Sequence, residues 1–235
     1  MIDRDKLYQY ARDIGVELDD NMLSRFRLYA SELITTNKKY NLTAITEPDE
    51  VVVKHFIDSL NVLKYFDLDY GNKIIDIGSG AGFPALPLLI AKNGMLEVTF
   101  VDSVRKKLLF IERALNVCGL KGEILHERAE ELGQDKDYRE SYDVATARAV
   151  APLNVLCELC MPFVKVGGYF IALKGSSDEV TDAKRAIKQL GGKIESNVSY
   201  KLPNGDPRSI VIIKKISQTP TKYPRKYKII SSKPL

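Results

Sequence analysis

Cysteine is scarce in this chain: Cys118, Cys157 and Cys160 are all it has. Three are too few for a disulfide framework over 235 residues, which agrees with a reducing compartment. The pair CELC at 157–160 raises a metal or redox reading, but a zinc site needs about four ligands. There is no second CxxC and there are just two histidines, His55 and His126. CELC also sits inside the apolar, helix-patterned LNVLCELCMPFV, so it reads as a packed helix face, and no metal is expected. Long hydrophobic runs are missing as well. ALPLLIA at 85–91 falls far short of the roughly 18 to 20 residues that cross a bilayer, so no membrane span is predicted. The opening MIDRDKLYQYARDIG has no apolar core behind a basic start, which predicts no secretory signal and a cytoplasmic protein.

Acidic residues are absent from residues 207 to 235, where eight basic residues stand: Arg208, Lys214, Lys215, Lys222, Arg225, Lys226, Lys228 and Lys233. The whole chain carries a formal charge of +4, so with eight of those charges in this stretch the rest carries −4. A basic tail on an acidic body suggests a polyanionic partner, because Lys and Arg that neutralise phosphates release counterions. The plain alternative is a solvated tail kept soluble by its charge.

What is present is an ordinary globular composition, 45% hydrophobic, enough for one α/β domain with a small extension. Residues 3–39 place apolar side chains at helical spacing, broken by ELDDN at 17–21, and predict two helices. TEPDE at 46–50 offers a Thr cap, a first-turn proline and acids suited to a helix N-terminus, predicting a third. From Lys73 on, short β-rich runs (KIIDI, LEVTFVD, EILHE, YDVATARA, GYFIALKG) alternate with helix-length segments, the last of them SSDEVTDAKRAIKQL. That alternation means a parallel, doubly wound sheet. KIESNVSYKL and RSIVIIKKI, separated by PNGDP, read as an antiparallel pair closing one edge. The domains expected are a helical extension over 1–66, packed on an α/β core over 67–216, and a basic tail over 217–235.

The first strand-to-helix turn of such a sheet is where a nucleotide-like ligand is cradled, and here it reads DIGSGAGFP. Gly78, Gly80 and Gly82 let the backbone take positive φ and approach a ligand closely. Asp102 closes the second strand 20 residues beyond Gly82, where a carboxylate can accept both hydroxyls of a ribose; it can also cap the helix that follows. The dinucleotide pattern GxGxxG would need glycine at 83, where Phe83 stands, and a Walker loop would need GK[ST]. What remains is acid-x-G-x-G-x-G with Asp76 ahead of the first glycine, which resembles the class I methyltransferases that use S-adenosylmethionine. That cofactor carries a sulfonium and an α-amino group, so an acid at the loop suits it. The terminal antiparallel pair resembles the reversed hairpin of the same Rossmann-like, seven-stranded fold.

The fourth strand lacks the [DN]PP[YF] of enzymes that methylate exocyclic amines and the Pro-Cys of cytosine carbon-5 enzymes; it has Arg148. With NLTAI at 41–45, HFIDSL at 55–60, DIGSGAGFP at 76–84, VDSVRKKLLF at 101–110, RAEEL at 128–132, ARAVAPL at 147–153, ALKG at 172–175 and YPRK at 223–226, nearly the whole chain resembles one family. It is that of the bacterial small-subunit ribosomal RNA guanine-N(7)-methyltransferases. The resemblance implies cofactor contacts at Gly78 and Phe83, at Ala129 and Glu130 beside the adenine, and at Arg148, which also serves as the catalytic residue near the methionine end or the acceptor. Asp76, Ser79, Gly80, Gly82, Asp102 and Ser103 complete the expected cofactor set. Small-subunit ribosomal RNA, or the subunit itself, is the implied partner, with His55, Lys174, Arg208, Lys222, Arg225, Lys226 and Lys228 as RNA contacts and the tail remote from the glycine loop. For His55 a packed, domain-bridging role weighs equally, while Arg148, at a strand end facing the crevice, is expected to have no core role. Two departures from the family stand out. Ala85 replaces a common glycine, and the tail, YPRKYKIISSKPL, lacks the Gly and Pro of YPRKxGxPxxxPL, so its last turn is expected to differ. The rival readings are a methyltransferase for another RNA, one for a small molecule, against which the basic tail argues, and an RNA-binding protein with a vestigial loop, which would bind no S-adenosylmethionine.

Overall fold

The computed structural model describes residues 1–175 and 179–235; the start of the SSDEV run, 176–178, lies outside the described residues. Two helices form where apolar spacing predicted them, α1 (Arg4–Asp13) and α2 (Asp20–Tyr40). Side chains set their starts. Asp3 accepts from the Lys6 amide at 3.1 Å and Asp19 from the Met22 amide at 2.7 Å, each satisfying a donor that a first turn leaves orphaned.

The third helical run is less regular than its sequence suggests. It consists of α3 (Pro48–Glu50), a π-helical segment (Val51–Ile57) and α4 (Asp58–Tyr65). The expected Thr46 cap is replaced: Glu47 holds the N-cap position without a side-chain bond, and Pro48 opens the helix because its missing N–H is no loss there. The wide π turn widens the helix where His55 sits.

Among the described residues seven strands make one sheet: β1 (Lys73–Ile77), β2 (Glu97–Val101), β3 (Glu123–Leu125), β4 (Tyr142–Arg148), β5 (Val164–Lys174), β6 (Gly192–Lys201) and β7 (Pro207–Lys215). Their order is β3-β2-β1-β4-β5-β7-β6. The first five run parallel, and β7 enters antiparallel between β5 and β6. The helices between and after them are α5 (Ala85–Ala91), α6 (Arg105–Cys118), α7 (Ala129–Leu132), α8 (Leu153–Cys160), α9 (Glu179–Gln189) and α10 (Tyr227–Ser232).

Alternation along β1 sends Ile74 into one hydrophobic cluster and Ile75 and Ile77 into another, as a pleated strand between two layers requires. The first cluster joins α1, α2 and the π segment to α5 and α6; the second joins α8, α9 and the tail. Cys157 and Cys160 lie fully buried in the second, and burial pushes both thiols above their ordinary range. The CELC pair is packing. No helix among the described residues is long and apolar enough to cross a membrane.

The tail folds back onto the body. Tyr223 and Ile230 are buried in the second cluster, and Arg139 Nη2 and Nη1 donate to the carbonyls of Thr219 at 2.7 Å and Tyr223 at 2.8 Å. Lys228 and Ile230 stand where the resembled pattern has Gly and Pro, so the segment can close as the short helix α10.

Candidate active site

The glycine loop leaves β1 at Ile77 and hooks back to the adjacent strand: the amides of Gly78 and Ser79 donate to the Val101 carbonyl at 2.9 and 3.1 Å. Gly78 and Gly82 take φ of 69° and 92°, and their surroundings add a second demand for glycine. A Cβ on Gly78 would come 2.6 Å from Val150 Cγ2, and one on Gly82 3.1 Å from Tyr29 Oη. Tyr29, from α2, donates its hydroxyl to the Ala81 carbonyl. The N-terminal helices therefore hold the loop as well as cover the sheet.

Beside the loop lies a cavity of about 500 Å³. Of the residues expected around the cofactor, its wall brings together Gly78, Ser79, Gly80, Phe83, Asp102, Ser103, Ala129, Glu130 and Arg148. Asp76 and Gly82 are not on that wall, and for Ser79 only the backbone serves it. The Ser79 hydroxyl is turned inward, donating to the Asp76 carbonyl at 2.8 Å and accepting from the Val101 amide at 3.1 Å. Asp102 is shared. Its Oδ2 accepts from the Gly80 amide at 3.0 Å and its Oδ1 from the Val104 amide at 2.8 Å. The N-cap of α6 is Val104 itself, so Asp102 braces the approach to that helix and does not cap it. Each oxygen keeps a second lone pair, which leaves room for ribose hydroxyls.

Asp76 is fully buried, accepts from Thr146 Oγ1 at 2.7 Å through Oδ1, and has no partner for Oδ2 among the described residues. Burial pushes its carboxyl up to about 7, against the pull of the Thr146 bond and of the Arg148 charge. A buried unpaired carboxylate oxygen is costly unless a cationic group stands near it. S-adenosylmethionine fits this wall: a bare glycine cradle, a ribose-competent carboxylate at the end of β2 and an orphaned acid behind the loop.

Arg148 does have a structural role, contrary to expectation. Its Nη1 donates to the Lys54 carbonyl and to Asp58 Oδ2, both at 3.1 Å, and its Nη2 lies 2.9 Å from His55 Nδ1. The guanidinium stands 4.6 Å over the Phe83 ring, on which His55 also stacks with centroids 4.3 Å apart. An arginine can only donate, so His55 Nδ1 is the acceptor and its Nε2–H faces Thr43 Oγ1 at 3.0 Å. Burial, then the neighbouring Arg148, lowers the His55 pKa to about 3; the ring is neutral and both nitrogens are engaged. Asp58 completes the knot by accepting from Tyr200 at 2.9 Å, with Arg208 Nε 3.6 Å away.

Behind this junction a second cavity of about 650 Å³ shares His55, Arg148 and Ala149 with the first and is lined by Lys54, Asp58, Lys174 and Arg208. Lys174 spans its rim, 2.8 Å from the Ala151 carbonyl and 2.9 Å from Glu179. His55, Lys174 and Arg208, expected as RNA contacts, thus meet in one place. The tail cations divide. Lys222, Lys226 and Lys228 are exposed, but Arg225 is no free phosphate contact: its Nε and Nη2 grip Glu158, which is fully buried, at 2.8 and 2.6 Å. Lys215 is also fully buried, 3.1 Å from Glu140 and bonded to the Met161 and Val164 carbonyls. Though remote from the glycine loop in sequence, the tail reaches it in space, since Tyr227 lines the first cavity. Sequence reasoning missed Tyr29, Asp58 and Tyr227. Asp58 stands inside HFIDSL, whereas nothing local marks Tyr227.

Comparison with known proteins agrees with this geometry. Residues 22–208 match the family model for rRNA small subunit methyltransferase G. The chain is 47% identical to the ribosomal RNA small subunit methyltransferase G of Alkaliphilus oremlandii, covering 99% of this chain and 98% of that one. It is also 47% identical to the protein of that name from Thermoanaerobacter sp., covering 97% of each. Among solved structures it shares its fold with a SAM-dependent methyltransferase from Aquifex aeolicus, at TM-score 0.56 and 18% identity over 78% of this chain and 98% of that one. A SAM-dependent O-methyltransferase from Thermotoga maritima aligns at TM-score 0.54 and 18% identity over 80% and 72%.

Proposed function

The chain belongs to the rRNA small subunit methyltransferase G family, and from that premise we propose that it methylates nitrogen 7 of a guanine in small-subunit ribosomal RNA, in the cytoplasm. The observation that carries the reading is the pair of cavities, one walled by glycines and one by cations, meeting at His55, Arg148 and Ala149. S-adenosylmethionine, when bound, supplies a methyl group on a positively charged sulfur. Gly78 and Gly80 keep the first wall bare for its methionyl part, Asp102 offers lone pairs to the ribose, and the carboxylate of Asp76, buried behind the loop, favours the cationic end through its field without touching it.

Nitrogen 7 of guanine has a lone pair and no proton, so its attack on the methyl needs no general base. The junction provides none: His55 is neutral with both nitrogens engaged, and Asp58 is committed to Arg148, Tyr200 and Arg208. Catalysis then rests on positioning and on excluding water. Arginine usually reads guanine through O6 and nitrogen 7 together, which would block the reacting atom. The bonds of Arg148 to Lys54, Asp58 and His55 occupy both Nη1 hydrogens and one of Nη2, and the remaining Nε–H and Nη2–H serve O6, a phosphate or the cofactor, so that nitrogen 7 keeps its lone pair for the methyl. Lys54, Lys174 and Arg208 in the second cavity, and Lys222, Lys226 and Lys228 on the tail, supply the phosphate contacts that hold a base splayed from its stack.

The test is mass-spectrometric mapping of 7-methylguanine in small-subunit RNA from cells with and without the protein, together with transfer by the purified protein to free RNA and to assembled subunits. The modification should depend on the protein. Methylation of another base or another atom would overturn the reading.

A further inference from the structure

Given that this cavity takes S-adenosylmethionine, we propose that Tyr227, returned to the site by the C-terminal tail, is the wall on which the adenine stacks. Strand order fixes the sequence of groups along the cavity. β1, β2 and β3 lie side by side, so the glycine loop after β1, Asp102 after β2 and residues 127–130 after β3 follow one another at its rim. A carboxylate ending β2 takes the ribose, and the base then lies beyond it, over the end of β3. Tyr227 lines the cavity there, its ring covered by the Arg128 guanidinium at 4.8 Å, with Arg128 in turn held by Glu130. Phe83, the other phenyl-type ring of the wall, lies under Arg148 and His55 at the junction with the second cavity.

The ring is held in place from both sides in sequence. Two residues before it Arg225 grips the buried Glu158, and three residues after it Ile230 is fully buried. Tyr227 itself remains 38% exposed, so Arg128 does not cover the whole ring. Stacking of a base on an aromatic side chain is sequence-independent chemistry that every purine offers.

The test uses S-adenosylhomocysteine and 5′-methylthioadenosine, the second lacking the amino-acid end, titrated calorimetrically into the full chain. Tyr227→Ala should weaken both by about ten- to a hundredfold, and Tyr227→Phe should leave both within about threefold of wild type. Because the chain contains no tryptophan, Tyr227→Trp places a single indole at the site, and its emission should be quenched as either compound saturates. This variant also carries the test if the alanine variant fails to fold. Wild-type affinity in the alanine variant, or unchanged indole emission at saturation, overturns the proposal while leaving the cofactor reading intact. A wild-type protein that binds neither compound overturns both.

Discussion

Asp58 and Glu158 are both buried carboxylates that hold an arginine, yet the two regions use the pair differently. At the end of β4, Asp58 takes one edge of Arg148 and also receives Tyr200 and Arg208, so the guanidinium stays between two cavities with donors to spare. In the tail, Glu158 takes Nε, Nη2 and the backbone amide of Arg225, and the guanidinium is consumed in closing the structure. A cation shared among several partners can still face a ligand. One that is the sole charge partner of a buried acid cannot leave it, because the unpaired acid would be strongly destabilising.

The largest effect expected from this contrast belongs to the tail. Arg225→Ala leaves Glu158 buried and uncompensated and should cost about 3 to 5 kcal/mol in urea unfolding. A loss below about 1 kcal/mol would mean the two regions are alike. Arg148→Ala should cost less, about 2 to 3 kcal/mol, because Asp58 keeps Tyr200 and Arg208, while methyl transfer falls by about a hundredfold or more. Normal turnover on ribosomal RNA would remove Arg148 from the site.

Asp76 sharpens the comparison as a buried acid with no cation in contact. Its folded pKa of about 7 lies above its unfolded value, so the folded chain binds the extra proton, and stability falls as pH rises through the window between them and levels off above about 7. His55 works in the opposite sense: with a folded pKa near 3, its contribution is lost as pH falls below about 6.5. Above about pH 6.5 the slope from His55 fades, and toward pH 8 Lys215, whose pKa burial lowers to about 8, adds a slope of the same sign as that of His55, so the Asp76 decline is read in the difference between the wild-type and variant profiles. Asp76→Asn should abolish that decline and raise stability at pH 8 by about 1 to 2 kcal/mol, while weakening S-adenosylmethionine by about 1 to 3 kcal/mol. Thermal melts across that window and calorimetry of the same variant check both halves; a variant that is less stable at pH 8 would show that Asp76 is paired.

The smallest change in stability is expected from the exposed cations. Replacing Lys222, Lys226 and Lys228 by alanine should leave unfolding within about 0.5 kcal/mol of wild type. It should also reduce the log–log salt slope of RNA binding by about 0.7 to 0.9 for each phosphate that the variant no longer neutralises. An unchanged slope in filter-binding titrations would mean that these lysines touch no phosphate.

The strands and most helices were legible from the chain because they depend on neighbours a few residues away. KIIDI became β1 unchanged, the apolar spacing of 3–39 became α1 and α2, and the glycines of DIGSGAGFP took the turn their missing Cβ atoms allow. The π segment was not legible: VVVKHFI carries an ordinary helical pattern, and the wider turn accompanies packing of His55 on Phe83 and the Arg148 bond to the Lys54 carbonyl.

Local pattern alone thus determined a doubly wound sheet with a nucleotide-type loop, and charge alone marked the tail as basic. Which cations are free was decided only in three dimensions. Arg148 meets Asp58 across 90 residues of chain, Arg225 meets Glu158 across 67, and Arg139 reaches the Tyr223 carbonyl across 84. Formal charge is a sum over residues, whereas the availability of each charge depends on what burial has placed beside it. For the same reason Tyr227 could join the cofactor wall from the far end of the chain without leaving any mark in the sequence around it.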